Sequence, residues 1–177
     1  PPGTDEKAAL SSILDAAIKK DLLFLSNQDN EAHPRVDWWS NGTDAGAELV
    51  FIDTLSDTRL PAIDALFIGG GFPESCMADL EANTALRAEL RGVIEHGLPT
   101  YAECGGLMYL ARSITWRGER HEMVGAIPAD VTMRDRAVGR GYVTLQETGD
   151  FPWPGGPLAM VRGHEFHHSS LENAAPG

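Results

Sequence analysis

The hydrophobic pattern divides the chain into an N-terminal part and a longer C-terminal part. Over residues 8–17 apolar side chains recur every three or four positions, and Thr4 can cap the helix that this spacing predicts. A second, shorter helical piece is predicted over residues 21–26. Residues 27–46 are polar, contain Gly and Asn, and follow neither the helical nor the strand period, so they are predicted to form a loop or linker.

Strands and helices alternate in the C-terminal part. Apolar runs bounded by turn residues predict buried strands over residues 47–53, 64–68 and 99–103. Helical patterns follow over residues 74–80, 83–96 and 107–113. Asn83 is a suitable N-cap for the longest helix, and Gly97 follows its end. Because strands that alternate with helices across short loops form a parallel sheet covered on both faces, the sequence predicts an α/β fold.

The pattern changes again after Trp116, where strands and turns replace the alternation. Strands are predicted over residues 122–127, 142–146 and 158–166. The connections between them are rich in Gly and Pro, most clearly over residues 149–157. The sequence therefore predicts that strands complete the C-terminal end of the fold.

Length and charge exclude several classes of protein. The chain has 177 residues, which is the size of one domain with little left over. Its formal net charge is −12, and a protein that binds a phosphate backbone needs clustered Lys and Arg instead, so no nucleic-acid partner is expected. No apolar run approaches the roughly 20 residues that cross a bilayer, so no membrane partner is expected either.

The cysteine and lysine contents exclude two further classes, a disulfide-rich secreted domain and a protein with a Walker-type ATP site. Two cysteines cannot form the disulfide framework of a small secreted domain, and the first residues lack the pattern of a signal peptide. We therefore expect a cytoplasmic protein with reduced thiols. The only lysines are Lys7, Lys19 and Lys20, and a phosphate-binding Walker loop needs Lys after its second Gly. This chain is therefore not expected to bind ATP by that route.

Cys104 lies at the most chemically informative position of the sequence. A predicted strand ends just before it, and two glycines and a predicted helix follow it. This is the pattern of a nucleophile elbow with Cys in place of Ser, in which the helix N-terminus favours the thiolate. The amide of Gly105 would then face an oxyanion on the attacked carbon. The alternative is that Cys104 is a small apolar filler at the end of a strand.

His167 is the candidate base for this thiol. It follows Glu165 by two positions at the end of a predicted strand, so both side chains are expected on one side, with His164 and His168 on the other. One alternative is a hydrogen-bonded structural histidine. Another is a metal cluster of His164, His167 and His168, which is disfavoured because the remaining histidines are scattered along the chain.

Three consecutive glycines, Gly69 to Gly71, follow a predicted strand. Amides of such a loop can turn toward an anion or a carbonyl oxygen, and Gly70 and Gly71 are therefore candidate oxyanion or substrate-binding residues. The run lacks the spacing of a dinucleotide fingerprint, and a plain strand-to-helix turn is the alternative. With Cys104 and His167, it completes the set of groups that acyl transfer from an amide requires.

Four motifs carry a resemblance to a known family. They are GGGFPE at 69–74, YAECGGLMYL at 101–110, MVGAIP at 123–128 and GHEFH at 163–167. In order and spacing they resemble the glutamine amidotransferase domain of cobyrinic acid a,c-diamide synthase. The resemblance implies a class I glutamine amidotransferase-like (flavodoxin-like) fold, mostly a parallel sheet with helices on both faces.

The resemblance also implies roles for individual residues. Cys104 is the expected nucleophile and His167 its partner, with Gly70, Gly71 and Gly105 around the oxyanion. Typical class I enzymes place Glu two residues after the His, whereas Ser169 occupies that position here. Glu165 is a possible orienting residue but is not assumed to replace that Glu. No metal is expected.

Two departures from the family pattern concern the N-terminal side. The family carries an ATP-binding synthetase domain with the corrinoid site before the glutaminase, so ATP and Mg are expected on a partner domain or subunit and no cofactor on this chain. Residues 1–45 are then interpreted as a helix and linker from that domain, and residues 46–177 as the glutaminase. The family also places a further strand and helix before Gly46, and the sequence leaves open whether they are absent here.

The expected activity is glutamine hydrolysis that supplies ammonia for ATP-dependent amidation of acetate side chains on cobyrinic acid. One alternative keeps this chemistry but serves another tetrapyrrole, such as sirohydrochlorin. Another is a non-catalytic docking domain of the same fold. The expected partners are glutamine and the synthetase, and a homo-oligomer is left open.

Overall fold

The computed structural model describes residues 22–25, 49–146 and 160–175. The helices of this part of the chain are α1 (Met77–Ala82), α2 (Thr84–Glu95) and α3 (Gly105–Leu110), with a 3-10 turn, Pro73–Ser75, before α1. Its strands are β1 (Leu22–Leu25), β2 (Leu49–Ile52), β3 (Ala65–Ile68), β4 (Thr100–Ala102), β5 (Ser113–Trp116), β6 (Glu119–Glu122), β7 (Asp130–Met133), β8 (Gly139–Leu145), β9 (Val161–His167) and β10 (Ser169–Glu172).

The first four strands form a parallel sheet in the order β2-β1-β3-β4. β1 pairs with β2 on one side and with β3 on the other, and Phe67 of β3 faces Tyr101 of β4 in register. The predicted strands 47–53, 64–68 and 99–103 are present with slightly shorter bounds. The predicted α/β fold with a parallel sheet is confirmed, and the carboxyl ends of these strands share one edge.

The helix predicted over residues 21–26 is wrong. Leu22–Leu25 form strand β1, which lies between β2 and β3. Four consecutive apolar residues fit a buried strand and a buried helix equally well, so periodicity cannot separate the two. A strand therefore does precede Gly46, as the resemblance expects. The predicted helix around residues 8–17 and the linker 27–46 lie outside the described residues, and the boundary at residue 45 stays a prediction.

Helix α2 forms as the sequence predicts. The side chain of Asn83 accepts a hydrogen bond from the amide of Leu86 at 3.4 Å, and Gly97 follows the helix with a φ of +92°. Leu86 and Leu90 are fully buried on its inner face. The asparagine cap also donates to two carbonyl groups of the loop after β2, so it joins the helix to the parallel sheet.

A second, mixed sheet has the order β10-β7-β5-β6, and β8 and β9 form a separate antiparallel ribbon. The strand predicted over 122–127 is wrong, because the observed strand β6 ends at Glu122. The helix predicted to reach residue 113 ends at Leu110, since Ala111 is extended and Ser113 starts β5. The ribbon corresponds to the predicted strands 142–146 and 158–166, of which residues 158 and 159 lie outside the described part.

The core connects the parallel sheet, the helices and the second sheet. Its fully buried side chains include residues from each layer: Leu66, Leu86, Leu90, Ile114 and Val131. Within the described ranges, no helix has the length and apolar character that crossing a membrane would require. The carboxyl edge of the parallel sheet is thus held between packed layers, and Gly69 to Gly71 and Cys104 follow β3 and β4 at this edge.

Candidate active site

Cys104 has the backbone conformation of a nucleophile elbow. β4 ends at Ala102, and Cys104 has φ +48° and ψ −115° before α3 starts at Gly105. A positive φ at a residue with a side chain is strained and persists only where the surrounding structure enforces it. The cysteine is exposed rather than sealed in the core. The predicted strand–turn–helix geometry is confirmed, and the filler interpretation does not fit an exposed side chain.

The glycines after the cysteine allow α3 to pack directly on the end of β3. A Cβ placed on Gly105 would lie 2.6 Å from the backbone nitrogen of Gly71. A Cβ on Gly106 would lie 2.7 Å from the side chain of Ile68 and 2.9 Å from the carbonyl oxygen of Gly69. Any larger residue at these positions would push the elbow away from the glycine loop.

The glycine loop lies beside the sulfur, as predicted. A Cβ on Gly70 would be 3.6 Å from the Cβ and 4.0 Å from the Sγ of Cys104. The amide of Gly105 is at the first position of α3, where amides have no partner inside a helix. Gly69 to Gly71, Gly105 and Gly106 line a pocket at this edge, together with Thr54, Ile68, Pro73, Leu80 and Tyr109. The structure thus brings Cys104, Gly70, Gly71 and Gly105 together.

His167 has hydrogen-bond contacts at both ring nitrogens. Nδ1 is 2.7 Å from the main-chain oxygen of Ser169, and Nε2 is 3.2 Å from Oε2 of Glu165. Both side chains are partly exposed, at 38% for the histidine and 41% for the glutamate. The prediction that Glu165 and His167 lie on the same side of the strand is therefore confirmed.

The structure does not join the sulfur and the imidazole by a hydrogen bond. Over the described ranges, the Sγ of Cys104 has no hydrogen-bond partner, while His167 contacts Ser169 and Glu165. The elements are nevertheless close, because His168 lies near enough to Glu74 of the 3-10 turn to interact with it electrostatically. The catalytic roles of Cys104 and His167 stay predictions.

Glu74 is a residue to which sequence reasoning gave no role. Burial raises the pKa of its carboxyl group, while its own backbone amide and the nearby His168 act in the opposite direction. Its Oε2 is buried and has no hydrogen-bond partner in the described part of the chain. The signal available in the sequence was its place in the GGGFPE motif, which did not show that the carboxylate oxygen is buried and interacts with His168.

The three neighbouring histidines point in different directions. The ring of His164 packs edge-on against that of Tyr142, with the ring centroids 5.5 Å apart. The ring of His168 packs in the same way against that of Phe166, with the centroids 5.6 Å apart. In the described residues, no group of three or more His, Cys, Asp or Glu side chains is arranged to hold a metal ion. The second cysteine, Cys76, is half-buried at the start of α1 with its Sγ 3.7 Å from the carbonyl oxygen of Pro73.

The chain is similar to proteins named cobyrinate a,c-diamide synthase. It is 43% identical to that of Magnetococcus marinus over 133 residues, which are 75% of this chain and 28% of the relative. It is 45% identical to that of Archaeoglobus fulgidus over 129 residues, which are 70% of this chain and 27% of the relative. The matched region therefore spans little more than a quarter of these relatives.

The fold is shared with a solved structure. A crystal structure described as that of a glutamine amidotransferase matches with a TM-score of 0.56 at 18% identity, over 89% of this chain and 76% of that chain. At this identity the likeness shows the fold alone, and it confirms the class I amidotransferase-like architecture. The model of the CobB/CobQ-like glutamine amidotransferase domain matches residues 43–176, and the chain belongs to this family.

Proposed function

We propose that this domain hydrolyses glutamine, with Cys104 as nucleophile and His167 as its acid–base partner. The observation that carries the proposal is the elbow, in which an exposed sulfur is held in a strained conformation beside a loop of three glycines. Family membership supports glutamine as the amide that is attacked.

In the first half of the reaction the thiolate of Cys104 attacks the side-chain carbonyl carbon of glutamine. The carbonyl oxygen becomes an oxyanion, which accepts hydrogen bonds from the amide of Gly105 and from amides of the Gly70–Gly71 loop. His167 has taken the thiol proton and delivers it to the amide nitrogen, which leaves as ammonia. The product on the enzyme is a thioester between Cys104 and the γ-carbonyl of glutamate.

In the second half, water replaces ammonia. His167 accepts a proton from the water as its oxygen attacks the thioester carbon, and the same amides hold the second oxyanion. The carbon–sulfur bond then breaks, the proton returns to the sulfur, and glutamate leaves. Glutamine and water are thereby converted into glutamate and ammonia.

The ammonia serves an acceptor outside this chain. The curated relatives are more than three times as long as the matched region, which leaves room in them for a synthetase part. In such a part, ATP with Mg²⁺ would activate a carboxylate, and the ammonia would convert it into an amide. The relatives' name favours acetate side chains of cobyrinic acid as acceptor. Sirohydrochlorin, as another tetrapyrrole, remains the second candidate acceptor.

The test measures glutamate release and labelling of the thiol by a glutamine-mimicking electrophile such as 6-diazo-5-oxo-norleucine. Cys104→Ala is expected to lower the rate of glutamate release at least about 1,000-fold, because the nucleophile and its base act as a unit. Cys76→Ala is the matched control and is expected to retain the rate and the label. Labelling at Cys76, or release that persists in Cys104→Ala, would refute Cys104 as the nucleophile, and an unmodified chain that releases no glutamate would favour a docking domain.

A further inference from the structure

The hydrogen-bond chemistry of His167 assigns the proton positions on its ring. The main-chain oxygen of Ser169 can only accept, so Nδ1, at 2.7 Å, must donate and carries a proton. Nε2 is therefore the nitrogen that can give up and regain a proton during a reaction. Its contact with Oε2 of Glu165 at 3.2 Å is attractive only while a further proton lies between the two atoms.

Nε2 can serve only one acceptor at a time. If it exchanges a proton with the sulfur of Cys104, it must leave the carboxylate of Glu165. The contact between Nδ1 and Ser169 can persist through this exchange, because it involves the other side of the ring. Glu165 therefore binds the His167 ring in the free enzyme, whereas the Ser169 carbonyl is the group able to orient the ring during the reaction.

Gly139 provides the space in which the ring lies. It pairs with His167 in the register of the β8–β9 ribbon and is buried. A Cβ on Gly139 would lie 2.7 Å from Cδ2 of His167 and 2.8 Å from Oε2 of Glu165. These separations are shorter than a carbon atom tolerates, so an alanine at this position would displace the imidazole, the carboxylate or both.

We propose that the main-chain carbonyl of Ser169 and the bare backbone of Gly139 position His167 for glutamine hydrolysis. Ser169 lies two residues after the histidine, where typical class I enzymes carry the glutamate of the triad, and it supplies a backbone oxygen instead of a carboxylate. Glu165 holds Nε2 in the free enzyme and releases it to Cys104. The proposal rests on the proposed function for the reaction, but the position and protonation of the His167 ring can be measured without it.

The first experiment compares two alanine substitutions on the same ribbon in the 177-residue chain. Gly139→Ala is expected to lower kcat for glutamate release about 100-fold with KM little changed, because a displacement of about 1 Å is enough for such a loss. Gly163→Ala is the matched control, since its Cβ would lie 3.4 Å from Val143 in ordinary contact. It is expected to stay within about twofold of the unmodified chain.

The second experiment reads the ring directly by nitrogen-15 NMR of the histidines. We expect the neutral ring of His167 to carry its proton on Nδ1 in the unmodified chain and in Gly163→Ala, and to lose this signature in Gly139→Ala. The amide spectrum of the same samples reports whether each variant is folded. A neutral ring that carries its proton on Nε2 instead of Nδ1 in the unmodified chain, or identical ring signals in the two glycine variants, would overturn the proposal.

Two further variants distinguish the role of the Ser169 carbonyl from that of the Glu165 carboxylate. Ser169→Ala keeps the carbonyl and is expected to keep kcat within about twofold. Glu165→Gln keeps the shape of the side chain and is expected to cost less than about tenfold in kcat, the scale of a single hydrogen bond. A loss in Glu165→Gln as large as in Gly139→Ala would make Glu165 the orienting group. If the unmodified chain releases no glutamate but shows the Nδ1 proton, the proposed function fails. The positioning of the His167 ring by Ser169 and Gly139 is then still supported.

Discussion

The two halves of the candidate site are held by different means. Around Cys104, backbone packs on backbone: glycines of α3 press against the glycine loop and the end of β3. Around His167, an exposed two-stranded ribbon carries the ring, which is held by one carbonyl, one carboxylate and one glycine. The sulfur is therefore placed by the core of the domain, and the imidazole by a few polar contacts near the surface.

Because they are held differently, the two halves should respond to different perturbations. The position of a group held by close packing changes only when atoms are added or removed nearby, at a large cost in stability. The position of a group held by hydrogen bonds at the surface depends on pH and on single polar partners. Substitutions near each half test this contrast, and the packed half should show the largest effect.

The largest effect is expected from a methyl group added under the elbow. Gly106→Ala places a carbon against Ile68 and the carbonyl of Gly69, and should lower the free energy of unfolding by about 3 kcal/mol. On α2, the Cβ added by Gly92→Ala would have no atom within 4 Å, so this substitution should raise the free energy of unfolding by about 0.5–1 kcal/mol. Urea unfolding of both variants measures the difference, and equal midpoints would contradict the packed description.

An intermediate effect is expected at Asp130, which anchors the second sheet that leads into β10. Hydrogen bonds from Ser113, Asn173 and Arg112 lower the pKa of its carboxyl from 3.8 to about 2. Because the unfolded chain binds this proton at a higher pH than the folded chain, the stabilisation is complete above pH 4 and is lost as pH falls towards 2.

Asp130→Asn tests this anchor. The substitution should lower the free energy of unfolding at pH 7 by about 1–2 kcal/mol, because charged hydrogen bonds are lost. The gap between the variant and the unmodified chain should close as the pH falls from 4 to 2. Thermal unfolding across this pH range measures it, and two parallel stability curves would show that the carboxylate carries no charge-dependent stability.

The smallest effect is expected from a surface ion pair beside the imidazole half. Arg134 follows β7, and its guanidinium lies 2.7 Å from Oε1 of Glu172 on β10. The two side chains are 53% and 42% exposed. Arg134→Ala should lower the free energy of unfolding by about 0.5 kcal/mol and less at high salt, since exposed pairs are screened. A loss comparable to that of Asp130→Asn would mean that this surface is more tightly organised than its exposure indicates.

The sequence predicted best where a local physical rule decides the structure. Asn83 caps α2 because its side chain reaches the amide three residues on, and Leu86 and Leu90 then turn inward. The elbow at Cys104 was readable because glycines must follow it if a helix is to pack on the neighbouring strand. Both rules act within a few residues and need no knowledge of distant contacts.

The sequence failed where distant partners decide the structure. β6 is a mostly exposed strand of charged residues, and only its pairing with β5 makes it a strand. The sequence pattern predicts a helix up to Ser113, but the hydrogen bond of Ser113 to Asp130 and the pairing with β7 place it in β5. The partner of His167 at Nδ1 is a main-chain oxygen, and every residue has one, so residue types gave no signal for it.

The order of the parallel sheet also affects how the domain can be trimmed. The family match begins at residue 43, after β1, yet this strand separates β2 from β3. A recombinant fragment cut to the family match would leave a gap of about 10 Å between those two strands, twice the usual interstrand spacing. Two unsatisfied strand edges would then be open to other molecules, so such a fragment should precipitate or self-associate during expression.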